Sequence, residues 1–188
     1  MSRPSPRVGG VLGERPRSRP RRAAYSAINS FLSLALIGVA ALLSGEPLLF
    51  PSLGPTAFLL FAAPLTPAAC PRNTLVGHLV GVLSGAFALL VTGLHDQPPD
   101  LNHVTGARMA AAAIALGLTC GLMPLLDRAH PPAGATTLIV ALGLLRTPEQ
   151  LVMVMVGVIL ITAQGVVINR LAGIRYPWWS PAPRRDSR

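Results

Sequence analysis

The sequence predicts an all-α fold: a polytopic membrane helix bundle made of two repeated units, each a span, a Pro/Gly-broken helix and a second span, with four to six crossings. Three observations predict it. Of the 188 residues 51% are hydrophobic and only 12% charged, far from the roughly one quarter charged that is usual in soluble domains. Four apolar runs, at 24–45, 74–94, 105–125 and 149–172, reach the ~20 residues an α-helix needs to cross a bilayer. Between them lie two shorter apolar runs, 52–63 and 135–145, each preceded by a cluster of Pro and Gly. As regular helix each covers about half a bilayer.

The N-terminal stretch 1–23 is rich in Arg and Pro and has no apolar periodicity that would build a core. It reads as a disordered cytoplasmic tail. The net charge of +9 sits mostly in the tails, where it acts as a positive-inside signal touching anionic head groups. No nucleic-acid partner is expected, because the basic stretch has no aromatic residues to stack on bases. The transmembrane region is expected over 24–174, followed at 175–188 by an interfacial anchor and short tail. There "RYPWW" joins Arg175 to Tyr176, Trp178 and Trp179. Cys70 and Cys120 lack CxxC spacing and read as free thiols. All sixteen basic residues are Arg, a usage typical of a GC-rich bacterial genome, so a bacterial inner membrane is expected, and the basic tails put both termini in the cytoplasm.

The two broken segments are copies. "PSLGPTAFLLF" at 51–61 aligns with "PPAGATTLIVA" at 131–141, matching Pro51 to Pro131, Gly54 to Gly134 and Thr56 to Thr136. If each segment crosses the membrane, the second unit is inverted relative to the first; if each dips in and returns, the units are parallel. Loop charge favours six crossings. That model puts Arg72 and Arg128 on the cytoplasmic side and leaves "HDQPPDLNH", with Asp96 and Asp100, outside. Gly77, Gly81 and Gly85 form a smooth helix face for close packing, and Gly117 and Gly121 repeat the spacing once.

The breaks are where chemistry is expected. Non-helical backbone at membrane depth survives only inside protein or beside a water-filled cavity. Pro131 and Pro132 end any incoming helix and Gly134 permits a tight approach. The helix that follows presents unpaired N–H groups and the positive end of its dipole, a site for an anion. Thr136 and Thr137 add hydroxyls, and Ser52, Gly54 and Thr56 offer the same in the first copy. The plainer reading is that Thr136 caps its helix and the breaks serve packing. His78 and His130 lie within or beside spans, where an ionisable group marks function or makes a neutral hydrogen bond. Arg72 and Asn73 are expected at the start of the third span, Asn73 as its N-cap and Arg72 as a topology charge or gate. Asp127 and Arg128 are expected to form a local ion pair, and Gln164 and Asn169 to act as polar glue or cavity lining. No enzyme signature is present, so catalysis is not expected, and neither a metal nor another cofactor is.

With these residues assembled, the chain resembles the HPP family of integral membrane proteins, named for a triplet that stands here as His130, Pro131, Pro132. The resemblance covers about 24–179. It rests on "FPSLGPTAFLLFAAP", on "PRN" followed by "GH" at 77–78, on "HPPAGATTLIVALG" and on "RYPWW". Ala133 stands where the family usually has Gly. The resemblance implies four transmembrane helices. It also implies transport of a small inorganic anion, since photosynthetic members have been linked to nitrite transport, while the CBS domains appended to some members are absent from this sequence. The expected partners are therefore the lipid bilayer and a small anion, with nitrite the leading candidate and association into a homo-oligomer left open. The competing expectation is a membrane sensor or partner-binding module that transports nothing.

Overall fold

The computed structural model describes residues 18–100, 102–103 and 105–181. Six α-helices follow in order: α1 Arg19–Ser44, α2 Leu53–Ala62, α3 Pro71–Val91, α4 Gly106–Leu125, α5 Ala133–Ala141 and α6 Pro148–Leu171, with a 3-10 turn at Pro67–Ala69 between α2 and α3. Among the described residues there is no strand. α1, α3, α4 and α6 are long and apolar enough to cross a membrane. Large apolar side chains such as Phe31, Leu42 and Leu43 point outward at 72%, 86% and 84% exposure, as lipid-facing residues do. α1 starts at Arg19, inside the stretch expected as a tail. The rest of that tail, 1–17, and the C-terminal 182–188 lie outside the described residues.

Helix starts follow local chemistry. α1, α3 and α6 each carry Pro in their first positions, where a missing N–H costs nothing. α6 has a full capping box, with the Thr147 hydroxyl accepting from the Gln150 N–H and the Gln150 side chain accepting from the Thr147 N–H. α4 ends where Asp127 adopts a left-handed backbone with φ of 53°, which a non-glycine residue adopts only in special positions such as turns. Arg128 then donates to the Asp127 backbone carbonyl at 2.7 Å and not to its carboxylate, so the expected ion pair is replaced by a main-chain contact.

Contacts along the helices give the direction of each. Along α3, Gly77 faces His130, Gly81 faces Ala133 and Thr137, and Gly85 faces Val140, so α5 runs beside α3 in the same direction. Along α6, Gly157 faces Leu48 and Leu53 and Gly165 faces Leu60, so α2 runs beside α6 in the same direction. Arg72 N–H donates to the Trp179 carbonyl, and Tyr25 and the Leu60 carbonyl both bond to Asn169. One face of the bundle therefore gathers the start of α1, the end of α2, the start of α3 and the end of α6; we refer to it as the tail face. Arg108 in the first turns of α4 meets Gly143 just past α5, at the opposite face. The segments 45–62 and 126–143 each pass from one face to the other, half as irregular chain and half as a helix about 15 Å long. Four regular helices and two broken crossings thus make six passages, and the second unit runs opposite to the first.

Each broken helix packs on the last helix of the other unit. The same displacement along the chain that takes Pro51 to Pro131 takes Gly77 to Gly157 and Gly85 to Gly165, so both receiving helices offer glycines at the contact. A Cβ at Gly77 would sit 2.6 Å from His130 Cβ, and one at Gly81 would sit 2.8 Å from the Ala133 carbonyl oxygen. Only glycine lets α5 approach this closely. Gly117 and Gly121 do not share the role expected of them, since nothing lies within 4 Å of a Cβ built at either.

Candidate functional site at the crossing of the broken helices

The first turns of α2 and α5 pass on either side of His78, which projects from α3 about two turns in from the tail-face end. Thr56 Oγ1 lies 2.9 Å from His78 Nε2, and Thr136 Oγ1 lies 2.7 Å from His78 Nδ1. The matched threonines of the two repeats thus take the two ring nitrogens of one imidazole. Thr56 Oγ1 also lies 2.9 Å from the Ser52 carbonyl, which can only accept. The Thr56 proton goes there, so Nε2–H donates to Thr56, Nδ1 is the bare nitrogen, and Thr136 donates to it. The whole arrangement is shut off from solvent: Ser52, Thr56, His78 and His130 are 0% exposed and Thr136 1%.

His130 completes the cluster. Its ring centroid is 5.0 Å from that of His78. Its Nδ1–H donates to the Ala68 carbonyl at 2.7 Å, which leaves Nε2 as a buried lone pair with no partner. Ser52 Oγ is likewise buried and unpartnered. Buried polar groups usually find a hydrogen-bond partner, and leaving one without costs about 1–3 kcal/mol. Ser33, Ser84, Arg108 and Gln164 also hold buried polar atoms without a partner, so what sets this place apart is the doubly hydrogen-bonded His78 beside His130.

The remaining expected residues fall elsewhere. Thr137 faces away from His78, donating to the Ala133 carbonyl at 3.1 Å and sitting 2.9 Å from the Thr119 hydroxyl. Gly54 has open space at its Cβ position, and a Cβ at Gly134 would meet only Leu116 at an ordinary 3.7 Å. The tight approach expected at Gly134 belongs instead to the α3 glycines. The N–H groups expected to be free at the start of α5 are occupied: Ala133, Gly134 and Ala135 donate to the carbonyls of His130, Pro131 and Pro132 at 3.0, 3.0 and 3.1 Å. Leu53 and Gly54 do the same to Phe50 and Pro51 at the start of α2. Short-range turns have absorbed the donors, so side chains and not backbone define the site.

Arg72 and Asn73 sit at the tail face, away from the crossing. Cys70 is the N-cap of α3, which places Asn73 in the first helical turn rather than at the cap expected of it. Asn169 is polar glue as expected, giving its amide to the Leu60 and Gly165 carbonyls and accepting from Tyr25. Tyr176 was expected at the membrane interface, yet it is fully buried and donates to the Ala69 carbonyl. Trp178 and Trp179 are 69% and 52% exposed, and the Arg170 guanidinium lies over the Trp178 ring at 3.9 Å. Among the described residues no three His, Cys, Asp or Glu side chains come close enough to hold a metal.

Sequence reasoning missed Thr74, whose buried hydroxyl donates to the Cys70 carbonyl and lies 3.5 Å from His130 Nδ1. It also missed Gly157 and Gly165, which the repeat displacement alone would have found.

The model of the family described as "HPP, transmembrane region" matches residues 15–177. The chain belongs to the HPP family. Within it, His130 of the family triplet is the residue whose lone pair faces no partner, and Pro131 and Pro132 form the turn ahead of α5. Two curated transmembrane proteins of Dictyostelium discoideum are similar to it. One is 28% identical over 165 residues, covering 82% of this chain and 54% of the relative; the other is 29% identical over 168 residues, covering 82% and 50%. The chain thus spans about half the length of these relatives. No solved structure matches it. The four helices implied by the resemblance to this HPP family are the four regular spans, to which the structure adds the two broken crossings.

Proposed function

We propose that this protein, acting as a transporter and not as an enzyme, carries a small inorganic anion across the membrane together with a proton, nitrite being the first substrate to test. One observation carries the reading: a buried histidine is held on both nitrogens by hydroxyls from two oppositely directed broken helices. Protonation of Nδ1 makes both ring nitrogens donors. Thr136 then accepts from Nδ1–H, and its own hydrogen is released to donate to a guest. The imidazolium and the freed hydroxyl together form a site for one negative charge, and the proton and anion travel as a neutral pair. His130, 5.0 Å away with a free Nε2, is placed to exchange that proton toward the tail face. The breaks let α2 and α5 move against the rigid spans, as discontinuous helices do in other carriers.

The tail face is read as cytoplasmic. It carries Arg19, Arg21, Arg22, Arg72, Arg128, Arg170 and Arg175 against Asp127, whereas the other face carries Glu46, Asp96, Asp100 and Glu149 against Arg108 and Arg146, which fits the positive-inside bias of a bacterial inner membrane. A thiol introduced at Arg72 should be labelled only from the cytoplasm and one at Asp96 only from outside. In proteoliposomes, a proton gradient should drive nitrite accumulation above the protein-free background. Flux indifferent to the gradient, or unchanged in His78→Phe, would overturn the reading.

A further inference from the structure

A cavity of about 490 Å³ opens on the face opposite to the tails, between the end of α3 and the start of α6. Leu89 of α3 and Val140 of α5 form part of its apolar wall, while His95, Asp96, Arg146 and Thr147 supply its polar groups. Val140 packs on Gly85 and lies one helical turn beyond Thr136, so the cavity stops about one turn short of the His78 cluster. Arg146 is half-buried, and among the described residues its guanidinium has no hydrogen-bond or ion-pair partner; only its backbone N–H is engaged, by Gln150. Asp96 does not pair with it. The Asp96 carboxylate instead takes His95 Nε2 at 2.8 Å. Glu149, in the first turn of α6, is exposed and does not line the cavity. The positive end of the α6 dipole points into the same space through Thr147 and Pro148.

We propose that this cavity is a receiving site for a small monovalent anion, held by the Arg146 guanidinium, with His95 keeping the Asp96 carboxylate from taking the anion's place. The Thr147 hydroxyl is committed to the Glu149 carboxylate. The identity of the guest rests on the anion-carrier reading above; the site itself rests on the cavity and its unpaired cation. A guanidinium without a counter-charge in a partly dehydrated pocket attracts an anion more strongly than one in bulk water.

The test is a nitrite titration of the purified full-length protein, read as the rise of its thermal midpoint with ligand. The parent should show a saturable rise. Arg146→Gln should shift half-saturation upward about tenfold, the loss of one charge-assisted contact, and Arg146→Lys should recover part of it. Asp96→Asn should shift it downward about two- to fivefold by removing the competing carboxylate, a gain that misfolding cannot mimic. In a His78→Phe background, which disables the site at the crossing, a saturable rise should persist and Arg146→Gln should still weaken it about tenfold. Titration of Arg146→Gln at the parental concentration, weaker binding in Asp96→Asn, or loss of the response in His78→Phe alone would overturn the proposal.

Discussion

The contact of α5 on α3 and the contact of α2 on α6 are the same construction in two copies, and they have been put to different uses. On the α2 side the glycines of α6 receive Leu53 and Leu60, and the surroundings are a continuous cluster of Ile37, Val154, Val158 and Ile161. On the α5 side three glycines of α3 receive His130, Thr137 and Val140, and the neighbouring apolar residues fall into two small clusters, one of Ala88, Ala111, Ala115 and Ala141 and one of Val80, Met123 and Ala133. The displacement that relates the repeats takes His78 to Val158 and His130 to Phe50, both buried and apolar. A core of large side chains tolerates adjustment, while a seam of glycine, alanine and bonded hydroxyls leaves little room for it. The duplication thus supplied one copy that holds the bundle together and one that carries ionisable groups.

The largest expected effect comes from making the second interface like the first. His78→Val leaves the Thr136 hydroxyl without its only partner and removes the proton site, and it should lower proton-driven nitrite flux at least about a hundredfold, or about 2.7 kcal/mol. Retention of gradient-driven uptake would mean that the polar copy is packing alone. Next, Gly85→Ala places a Cβ 2.6 Å from Val140 Cβ and 3.0 Å from the Thr137 carbonyl, neither of which can retreat. It should cost about 1–3 kcal/mol of stability, read as a lower unfolding midpoint in detergent. Gly165→Ala meets only the end of Leu60 at 3.0 Å and should fall within about 0.5 kcal/mol of the parent, helped by better helix propensity. Equal costs at the two positions would erase the distinction.

Smaller effects sharpen it. Thr136→Val should weaken nitrite binding about tenfold, the value of a hydrogen bond to a charged guest, measured by titration. Thr56→Val should act in the same direction but less, about two- to threefold, because its proton is already committed to the Ser52 carbonyl. Thr137→Val should leave affinity unchanged, since its hydroxyl is spent on Ala133 and Thr119. The smallest effect is expected at Gly54→Ala and Gly134→Ala, each within about 0.5 kcal/mol, the range of substitutions that touch no special feature.

Much of this was legible in the residues. Apolar runs of membrane length gave the four spans, and Pro51/Pro131, Gly54/Gly134 and Thr56/Thr136 gave the repeat and two of the three side chains at its centre. His78 and His130 stood out as ionisable groups in apolar surroundings. What was not legible is that they meet, because their proximity depends on α5 lying against the glycines of α3, a choice of partner that helical periodicity does not encode. The donors at the start of α5 were misjudged for a local reason: turns at 130–135 close within the chain and consume the N–H groups before any ligand arrives. Tyr176 was misplaced because an aromatic beside two tryptophans reads as interfacial, while its hydroxyl has a buried carbonyl waiting at Ala69.

The half-extended path through 45–52 has a consequence for how the molecule is made. Extended backbone cannot rest in hydrocarbon alone, because its N–H and C=O groups would have no acceptors or donors. Leu48 and Phe50 lie against Gly157 of α6, which leaves the ribosome about a hundred residues later. We therefore expect biogenesis in two stages, with α1 and α3 inserted early and the passage between them completed only after α6 arrives. A nascent chain stalled before residue 148 should leave a cysteine placed at Leu48 open to a membrane-impermeant reagent, and release of the full chain should close it. On this expectation the order of synthesis and the order of burial differ, and an insertion machine would hold open a gap that the sequence fills about a hundred residues later.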